Sequence, residues 1–449
     1  MLACAVIAGL LAGCSGGAKQ DSKDVIKIGA LFPFSGNLAA LGTENYRGLE
    51  LAAKIKNAAG GIKGKKIEIV KADAPDATAA VSEADRLISK ENLKAIVGTY
   101  SSSLSFAASE VAERNGVIYW EVGGISDPIT SRNYKFLFRT VPTASSYGIY
   151  GVRFAKAIAP KLGIQPKDMK VAVIGEDSMY GSTCGDFAEK EAAAQGMKVA
   201  VRLRYSAKTN DLSAIVLKLK EVKPDVLIHT SYITDTILFF RQAKELGLTG
   251  IKAYIGQGGG YALRDFADSM GDDIDGIFNV DYPQVDLNPK FAKGIDEFNK
   301  QYKEAYGSEP KSAHSLVAYQ GAMVLFEAIE KGGGVMDPEA IRKGALAIDI
   351  PAGQTVAGYG AKFAGPDAPN AGQNTAAFPL VSQWQNKRQI TVWPEDYAAT
   401  TTILLPQKPW KTAKYPLDPI VERHPRADGP PGRTGECCGA ITAKRSNSP

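Results

Sequence analysis

Two loops rich in hydroxyl groups are the parts of this 449-residue sequence best suited to hold a small solute. Ser101, Ser102 and Ser103 follow an apolar stretch predicted as a buried strand and precede a stretch with helical periodicity. Their hydroxyls and the backbone N–H groups of a helix start favour a carboxylate ligand. An N-cap serine with two bystanders is the alternative interpretation. A second such loop, Thr230-Ser231-Tyr232, ends another apolar stretch.

Groups that could perform catalysis or bind a metal are few. The sequence has three histidines, and none stands with the scattered carboxylates in a catalytic motif. Of the five cysteines, only Cys184 lies away from the two chain ends, which excludes a disulfide framework and metal-ligand spacing in the body. We therefore expect no enzymatic activity, no metal and no cofactor.

Composition and charge indicate a globular protein of more than one domain without a nucleic-acid partner. Hydrophobic residues make up 45% and charged residues 22% of the chain. The net charge is +5, but the stretch from Pro406 onward holds eight basic and only four acidic residues. The rest of the chain is thus nearly neutral, and no basic face remains to contact a phosphate backbone.

The first residues form an uncharged apolar stretch that ends in Leu11-Ala12-Gly13-Cys14. It is too short to span a bilayer, and it resembles the signal peptide and lipobox of bacterial lipoproteins. We predict a signal peptide over residues 1–13, a lipid on Cys14 and a linker over 14–24. The protein would then lie in the periplasm or on the outer face of the cytoplasmic membrane. A plain secretory signal is the alternative, and no Lys or Arg precedes the apolar run.

Strand and helix patterns alternate from Val25 to about Pro394, which predicts an α/β fold with parallel sheets. One series begins at residues 26–31 and a second at 170–175. In each series the third strand leads into a hydroxyl-rich loop. Because ligands bind beyond the carboxyl ends of such strands, two of these loops predict a cleft between two lobes. The many prolines from residue 398 predict a disordered tail over 398–449.

Several stretches then show a family resemblance. Residues 57–66 (Asn-Ala-Ala-Gly-Gly-Ile-Lys-Gly-Lys-Lys), 97–103, 180–181 and 241–248 have the types and order found in one family. The sequence resembles the leucine/isoleucine/valine-type periplasmic binding proteins over roughly Val25 to Tyr397. The resemblance implies a class I periplasmic-binding fold of two Rossmann-like lobes joined by three crossings, and delivery of a small solute to an ABC importer.

The resemblance also implies domain bounds. Lobe 1 would comprise residues 25–142 plus 274–351, and lobe 2 would comprise 143–273 plus 352–397. The crossings would lie near 141–143, 272–275 and 350–353. We expect a monomer that contacts ABC permease subunits and is held at the membrane by its N-terminal lipid.

Candidate ligand contacts follow from the same resemblance. Ser102 matches the carboxylate-binding serine of the family, Tyr232 its ligand-covering tyrosine, and Tyr180 a position near the cleft mouth. The loop after the fourth strand would offer backbone groups to the ligand; it consists of Gly123, Gly124, Ile125 and Ser126. Ile125 stands where related leucine binders have a threonine. A plain turn and two core tyrosines are the alternatives.

The sequence departs from the family where amino-acid binders hold the ligand ammonium. A glutamate is usual after the strand at 251–255, whereas this chain has Gln257 between two glycines. A neutral amide cannot supply the charge-assisted bond that a buried ammonium needs. Either Asp235 or Asp281 substitutes, or the ligand has no ammonium. The sequence therefore favours a small organic acid or amide slightly over an unmodified branched-chain amino acid.

Three function classes fit the sequence to different degrees. The favoured one is a solute-binding lipoprotein that captures a small amino acid, or a related organic acid or amide, for an ABC importer. A ligand sensor on the same fold, acting on a kinase or regulator, is the alternative. An enzyme on a doubly wound sheet would need a catalytic set that the sequence does not show.

Overall fold

The computed structural model describes residues 25–408 and 410, so the predictions for the signal peptide, Cys14 and most of the tail lie outside the described residues. The strands are β1 (Val25–Phe32), β2 (Lys66–Asp73), β3 (Ala95–Gly98), β4 (Ile118–Glu121), β5 (Leu137–Arg139), β6 (Lys170–Glu176), β7 (Lys198–Tyr205), β8 (Val226–Thr230), β9 (Ala253–Gln257), β10 (Phe278–Asp281), β11 (Asp349–Ile350), β12 (Ala361–Lys362), β13 (Leu380–Gln385) and β14 (Arg388–Trp393). The helices are α1 (Ala39–Ala58), α2 (Ala77–Ser89), α3 (Ser102–Arg114), α4 (Ala144–Ile158), α5 (Met179–Ala194), α6 (Ser213–Val222), α7 (Ile233–Glu245), α8 (Arg264–Met270), α9 (Ile295–Tyr306), α10 (His314–Lys331) and α11 (Pro338–Leu346).

Lobe 1 is built on a five-stranded sheet in the order β2-β1-β3-β4-β5, with every pair parallel. The residues of β3 and β4 are all buried because helices cover both faces. On α2 the buried residues Ala80, Ala84 and Leu87 recur at helical spacing and pack against the sheet. Helices α1 and α10 cover the other face, and they approach so closely that a Cβ on Gly48 would lie 2.1 Å from the Ser315 carbonyl oxygen.

Lobe 2 is built on a seven-stranded sheet in the order β14-β13-β10-β9-β8-β6-β7. The strands from β10 to β7 pair in parallel, whereas β13 pairs antiparallel with both β10 and β14. Helices α4 and α5 pack together on one side of this sheet. The predicted α/β class with two Rossmann-like lobes is confirmed.

Two of the predicted crossings between the lobes lie elsewhere in the structure. The first crossing spans residues 140–143. The second was expected near 272–275, but β10 pairs with β9 in the lobe 2 sheet, so the chain returns to lobe 1 only over 282–294. The third was expected near 350–353, but Gln373 forms a bridge with Arg139 at the edge of lobe 1, which places this crossing at 374–379. Short apolar strands of the two lobes are similar in sequence, so the sequence alone does not show which of the two sheets each strand joins.

Residues 399–408 also differ from the prediction of a disordered tail. The Ala399 N–H donates to the Thr391 carbonyl oxygen at 2.9 Å, and the Gln407 N–H donates to the Lys252 carbonyl oxygen at 2.8 Å. The Trp410 ring lies 5.3 Å from the Tyr254 ring, measured between centroids. This segment therefore follows the surface of lobe 2, where the isolated prolines permit an extended path.

Two further findings concern only the described part of the chain. None of its helices combines the length and the apolar character needed to cross a membrane. Between residue 25 and residue 410, no three His, Cys, Asp or Glu side chains are grouped so that they could hold a metal ion.

Candidate functional site

A small cavity lies between the lobes, at the carboxyl ends of the parallel strands. Its volume is about 20 Å³, which is room for about one water molecule. Five tyrosines form most of its wall: Tyr100, Tyr147, Tyr180, Tyr232 and Tyr282. The remaining lining residues are Ser102, Gly123, Ile125, Gly258, Gly259, Asp281 and His314.

The three predicted serines have different positions. Ser102 opens α3 and lines the cavity, and its Oγ accepts the Ser126 N–H at 3.1 Å. Ser101 precedes the helix without capping it, and its Oγ lies 3.4 Å from the Tyr232 hydroxyl of lobe 2. Ser103 does not line the cavity. The first N–H groups of α3 therefore have no side-chain cap, and Ser102 lies beside them at the cavity.

The loop of residues 123–126, called the glycine loop below, was predicted to offer backbone groups to the ligand, but its contacts differ from that prediction. Gly123 lines the cavity, but the N–H groups of Gly123 and Gly124 donate to Oε1 of Glu121 at 2.7 and 2.5 Å. The Gly123 carbonyl oxygen accepts the Tyr282 hydroxyl at 2.5 Å. Ser126 is not a lining residue; its hydroxyl donates to the Met179 carbonyl oxygen at 2.9 Å and so links the lobes. These backbone groups are used within the protein rather than left for a ligand.

Glu121, which the sequence analysis did not single out, organises lobe 1 at this point. This buried carboxylate at the end of β4 also accepts the Thr99 N–H at 3.1 Å and the Ser105 hydroxyl. Burial raises the pKa of Glu121, and the hydrogen bonds from Ser105 and the glycine loop oppose that shift. Glu121 thereby holds the loops after β3 and β4 together. A carboxylate ending a predicted strand was the only available signal.

Two predicted tyrosines of lobe 2 do lie in the cavity wall. The Tyr180 and Tyr232 ring centroids are 5.2 Å apart. The Tyr180 hydroxyl donates to the Gln257 carbonyl oxygen. Gly258 makes room for Tyr180 and Tyr147: its φ is +79°, and a Cβ there would lie 3.0 Å from the Tyr180 hydroxyl oxygen and 3.2 Å from Cε1 of Tyr147. Only glycine adopts this backbone conformation without strain.

Gln257 and Asp235 lie outside the cavity. Within the lobe 2 core, Gln257 accepts the Thr230 hydroxyl at 2.6 Å and donates to the Tyr147 carbonyl oxygen at 3.1 Å. Asp235 caps α7 by accepting the Tyr232 N–H at 2.9 Å, and it accepts the Tyr205 hydroxyl at 2.6 Å. Burial raises the pKa of Asp235 to about 7. Both side chains support the wall rather than form it.

Asp281, the second carboxylate considered from the sequence, lies in the cavity wall at the end of β10. Its Oδ1 accepts the Tyr147 hydroxyl at 3.2 Å and the Tyr282 N–H at 2.8 Å, and its Oδ2 accepts Nδ2 of Asn279 at 3.1 Å. The residue is 1% exposed. Burial raises the pKa of Asp281 to about 7, against the effect of these hydrogen bonds. Lobe 2 therefore brings a carboxylate to the cleft from β10.

Tyr282 and His314 complete the wall and were missed in the sequence. The His314 ring lies 5.1 Å from Tyr282 and 5.8 Å from Tyr100, both edge to face. Burial lowers the pKa of His314 to about 3, so the ring is neutral at pH 7. Tyr282 follows the four-residue strand β10, which is too short for a clear pattern, and His314 begins α10 after an irregular segment.

Arg139 ties the site to the crossings. This fully buried residue ends β5 and donates to the Ser126 carbonyl oxygen at 2.6 Å and to the Thr130 hydroxyl at 3.0 Å. It also donates from Nε to Oε1 of Gln373 at 2.5 Å, across 234 residues of sequence. Gln373 in turn donates to the Val141 carbonyl oxygen at 2.9 Å. The glycine loop, the first crossing and the start of the third crossing thus share one network.

Comparison with known proteins agrees with this architecture. A family model described as "Periplasmic binding protein" matches residues 25–385. The "Leu/Ile/Val-binding protein homolog 8" of Brucella abortus (strain 2308) is 46% identical over 375 residues, which cover 83% of this chain and 91% of that protein.

Two solved structures share the fold. The branched-chain amino acid transporter substrate-binding protein LivJ of Streptococcus pneumoniae, in complex with isoleucine, has a TM-score of 0.67 and 22% identity, covering 85% of this chain and 100% of that one. A solute-binding protein of an ABC transporter from R. palustris, in complex with benzoate, has a TM-score of 0.69 and 19% identity, covering 87% and 100%. The chain belongs to the periplasmic binding protein family, and within it to the leucine/isoleucine/valine type.

Proposed function

We propose that this protein captures a small solute carrying a carboxylate between its two lobes and delivers it to an ABC importer. The observation that carries the proposal is the cavity between the lobes, where Ser102 and the uncapped start of α3 stand on one side and tyrosines stand on the other. The serine hydroxyl and free N–H groups fit a carboxylate, and the positive end of the helix dipole strengthens the fit.

The contacts in the cavity support binding rather than catalysis. Ser102 accepts a backbone N–H, and Nδ1 of His314 lies 3.3 Å from the Ser312 hydroxyl. No hydrogen bond in the described part of the chain joins Ser102 to a histidine, so the arrangement of a base-activated nucleophile is not present there. Membership of a binding-protein family points the same way.

The proposal also covers the location of the protein, its attachment to the membrane and its partners. We propose a periplasmic or outer-face location with Cys14 as the lipid-bearing residue, a monomeric protein, and ABC permease subunits as partners. Support comes from the Leu-Ala-Gly-Cys14 sequence and from the family. Structures of similar fold hold isoleucine in one case and benzoate in another, so both kinds of ligand enter the test.

A thermal-shift screen of residues 25–449 tests the capture of a solute. A compound that binds only the native state raises the melting temperature by mass action. We expect a rise with at least one of the amino acids, aliphatic carboxylates or aromatic carboxylates in the panel. Ser102→Ala should reduce that rise, whereas Ser103→Ala, which changes a neighbour outside the cavity wall, should preserve it. A panel in which no compound shifts the melting temperature would contradict the proposal.

A further inference from the structure

Resting on the proposed function, we propose that Asp281 receives a positively charged nitrogen of the ligand. The solute class is then a zwitterion, with a carboxylate at Ser102 and a protonated amine at Asp281. This assigns the cation to β10 rather than to the position of Gln257, and it reverses the preference for an amine-free acid that the sequence alone gave.

The charge of Asp281 favours a cationic ligand. Asp281 is 1% exposed, and none of the ion pairs among residues 25–408 and 410 includes it. The neighbouring His314 is neutral at pH 7 because burial lowers its pKa to about 3. A buried carboxylate without a cation is costly, and a cationic ligand would offset that cost.

The direction of the hydroxyl groups around Asp281 also favours a cation. The Tyr147 hydroxyl donates its proton to Asp281 and the Tyr180 hydroxyl donates to the Gln257 carbonyl oxygen. These oxygens keep only lone pairs for a ligand. The lobe 2 side of the cavity therefore offers acceptors and a negative charge, which suit an ammonium and repel a carboxylate.

Lobe 1 has the opposite polarity. Ser102 and the start of α3 present donors, and the neighbouring Gly123 N–H is held by Glu121. A ligand with one anionic end and one cationic end satisfies both sides of the cavity at once. An amine-free acid such as benzoate satisfies only lobe 1 and leaves Asp281 unpaired.

Proton exchange supports the same assignment. Burial raises the pKa of Asp281 to about 7, so part of the population carries a proton at neutral pH. An ammonium against this carboxylate favours its ionised form. Binding of an amine should thus release a fraction of a proton from wild type at pH 7.

The test is calorimetry with paired probes: L-leucine and 4-methylpentanoate, L-phenylalanine and 3-phenylpropanoate, and benzoate. The variants are Asp281→Asn, which keeps an acceptor oxygen for Tyr147 and Tyr282, and the matched control Asp235→Asn. Asp235 is also buried with a pKa raised to about 7, but it lies outside the cavity. Repeating each titration in buffers of different ionisation enthalpy measures proton release.

We expect wild type to prefer the amine-bearing member of a pair, and Asp281→Asn to weaken that member by about 100-fold or more. Asp235→Asn should stay within about fivefold of wild type, and proton release should vanish only in Asp281→Asn. Equal or tighter binding of the amine-free acids, or amine binding that survives in Asp281→Asn, would overturn the inference. If no probe binds to protein that circular dichroism shows to be folded, both this inference and the proposed function fail. The circular-dichroism check separates that outcome from misfolding.

Discussion

Asp281, which we propose as the partner of a cationic ligand, illustrates at the scale of one residue how a buried charge can oppose stability. In the ligand-free protein its charge is held in a buried wall by Tyr147, Tyr282 and Asn279, without a cation beside it. The groups facing it from other helices are Tyr180 on α5 and the neutral His314 on α10. None of these relieves the negative charge, so ionisation of Asp281 should weaken the folded state.

The expected pH dependence follows from linkage. The pKa of Asp281 is about 7 in the folded protein, whereas an aspartate in an unfolded chain has its ordinary value of 3.8, so the native state binds the proton more tightly. The contribution of this group to stability is therefore present below pH 4 and lost as the pH rises to 7. We expect Asp281→Asn to raise the melting temperature of the ligand-free protein by a few °C at pH 8.

At pH 4 the same substitution should give no gain, because both side chains are then neutral. Differential scanning calorimetry at the two pH values checks this. The exposed Asp367→Asn serves as the control and should act equally at both. A shift from Asp281→Asn that is independent of pH would show that burial of the charge is not the cause.

At this scale, the sequence could predict mainly those site residues that lie close to the end of a recognisable strand. Ser102 and Tyr232 were found because each follows a recognisable strand, and Tyr180 was found from the family resemblance; all three lie in the cavity wall. Gln257 sits equally close to a strand end, but its side chain turns into the core. The direction in which a side chain points at a strand end depends on packing from the other elements, which no single-chain pattern encodes.

At the scale of elements, the turn after β9 decides the shape of the cavity. Gly258 has φ +79° and ψ −132°, and a Cβ there would lie 3.2 Å from Cε1 of Tyr147 and 3.0 Å from the Tyr180 hydroxyl oxygen. Gly271 has nearly the same backbone conformation, φ +60° and ψ −133°, but a Cβ there would meet nothing within 4 Å. The two glycines therefore separate backbone strain from cavity shape.

We expect Gly258→Ala and Gly271→Ala each to cost about 1–3 kcal/mol of stability from backbone strain. Only Gly258→Ala should also weaken binding of the strongest compound from the thermal-shift screen, because it displaces Tyr147 and Tyr180. Urea unfolding and calorimetry measure the two effects. Equal losses of affinity in both variants would show that the effect is general rather than local to the cavity.

The order of strands and helices was predictable for most of the chain, since apolar runs and helical faces alternate clearly. Which lobe the last strands and segments join was not predictable. Residues 278–281 and 361–374 are short or irregular, and their place is set by partners far away in sequence, β9 and Arg139. The predicted crossings at 272–275 and 350–353 failed for this reason.

At the scale of the whole molecule, the lobes lie in contact through Ser126 and Met179, and through Tyr282 and Gly123. The cavity of about 20 Å³ is too small for an amino acid. A ligand therefore requires wider spacing of the lobes than this, with rotation at 140–143, 282–294 and 374–379.

Small-angle scattering on residues 25–449 measures this motion. We expect the radius of gyration to change when the strongest compound from the screen saturates the protein, because the lobes have to move to admit it. Asp281→Asn at the same ligand concentration should leave the radius unchanged, since its affinity is reduced. An unchanged radius in saturated wild type would argue against a hinge.

Attachment of the whole molecule to the membrane depends on Cys14. If Cys14 carries a lipid, the full-length protein should partition into the membrane fraction, and Cys14→Ser should move it to the soluble fraction or block removal of the leader. Fractionation with N-terminal sequencing checks both outcomes, and Cys184→Ser provides a cysteine control within the body. Soluble wild type beginning at Ser15 or later would contradict the prediction.

The hydrogen bond between Arg139 and Gln373 has a consequence for how the chain acquires its shape. The two residues are separated by 234 positions, so this bond can form only after the chain has been made as far as Gln373. Contacts between residues so far apart in sequence form slowly, so we expect this bond late in folding. A nascent chain released before residue 373 would expose a half-covered edge of lobe 1 to proteases, whereas completion of this late contact gives both lobes their final connection.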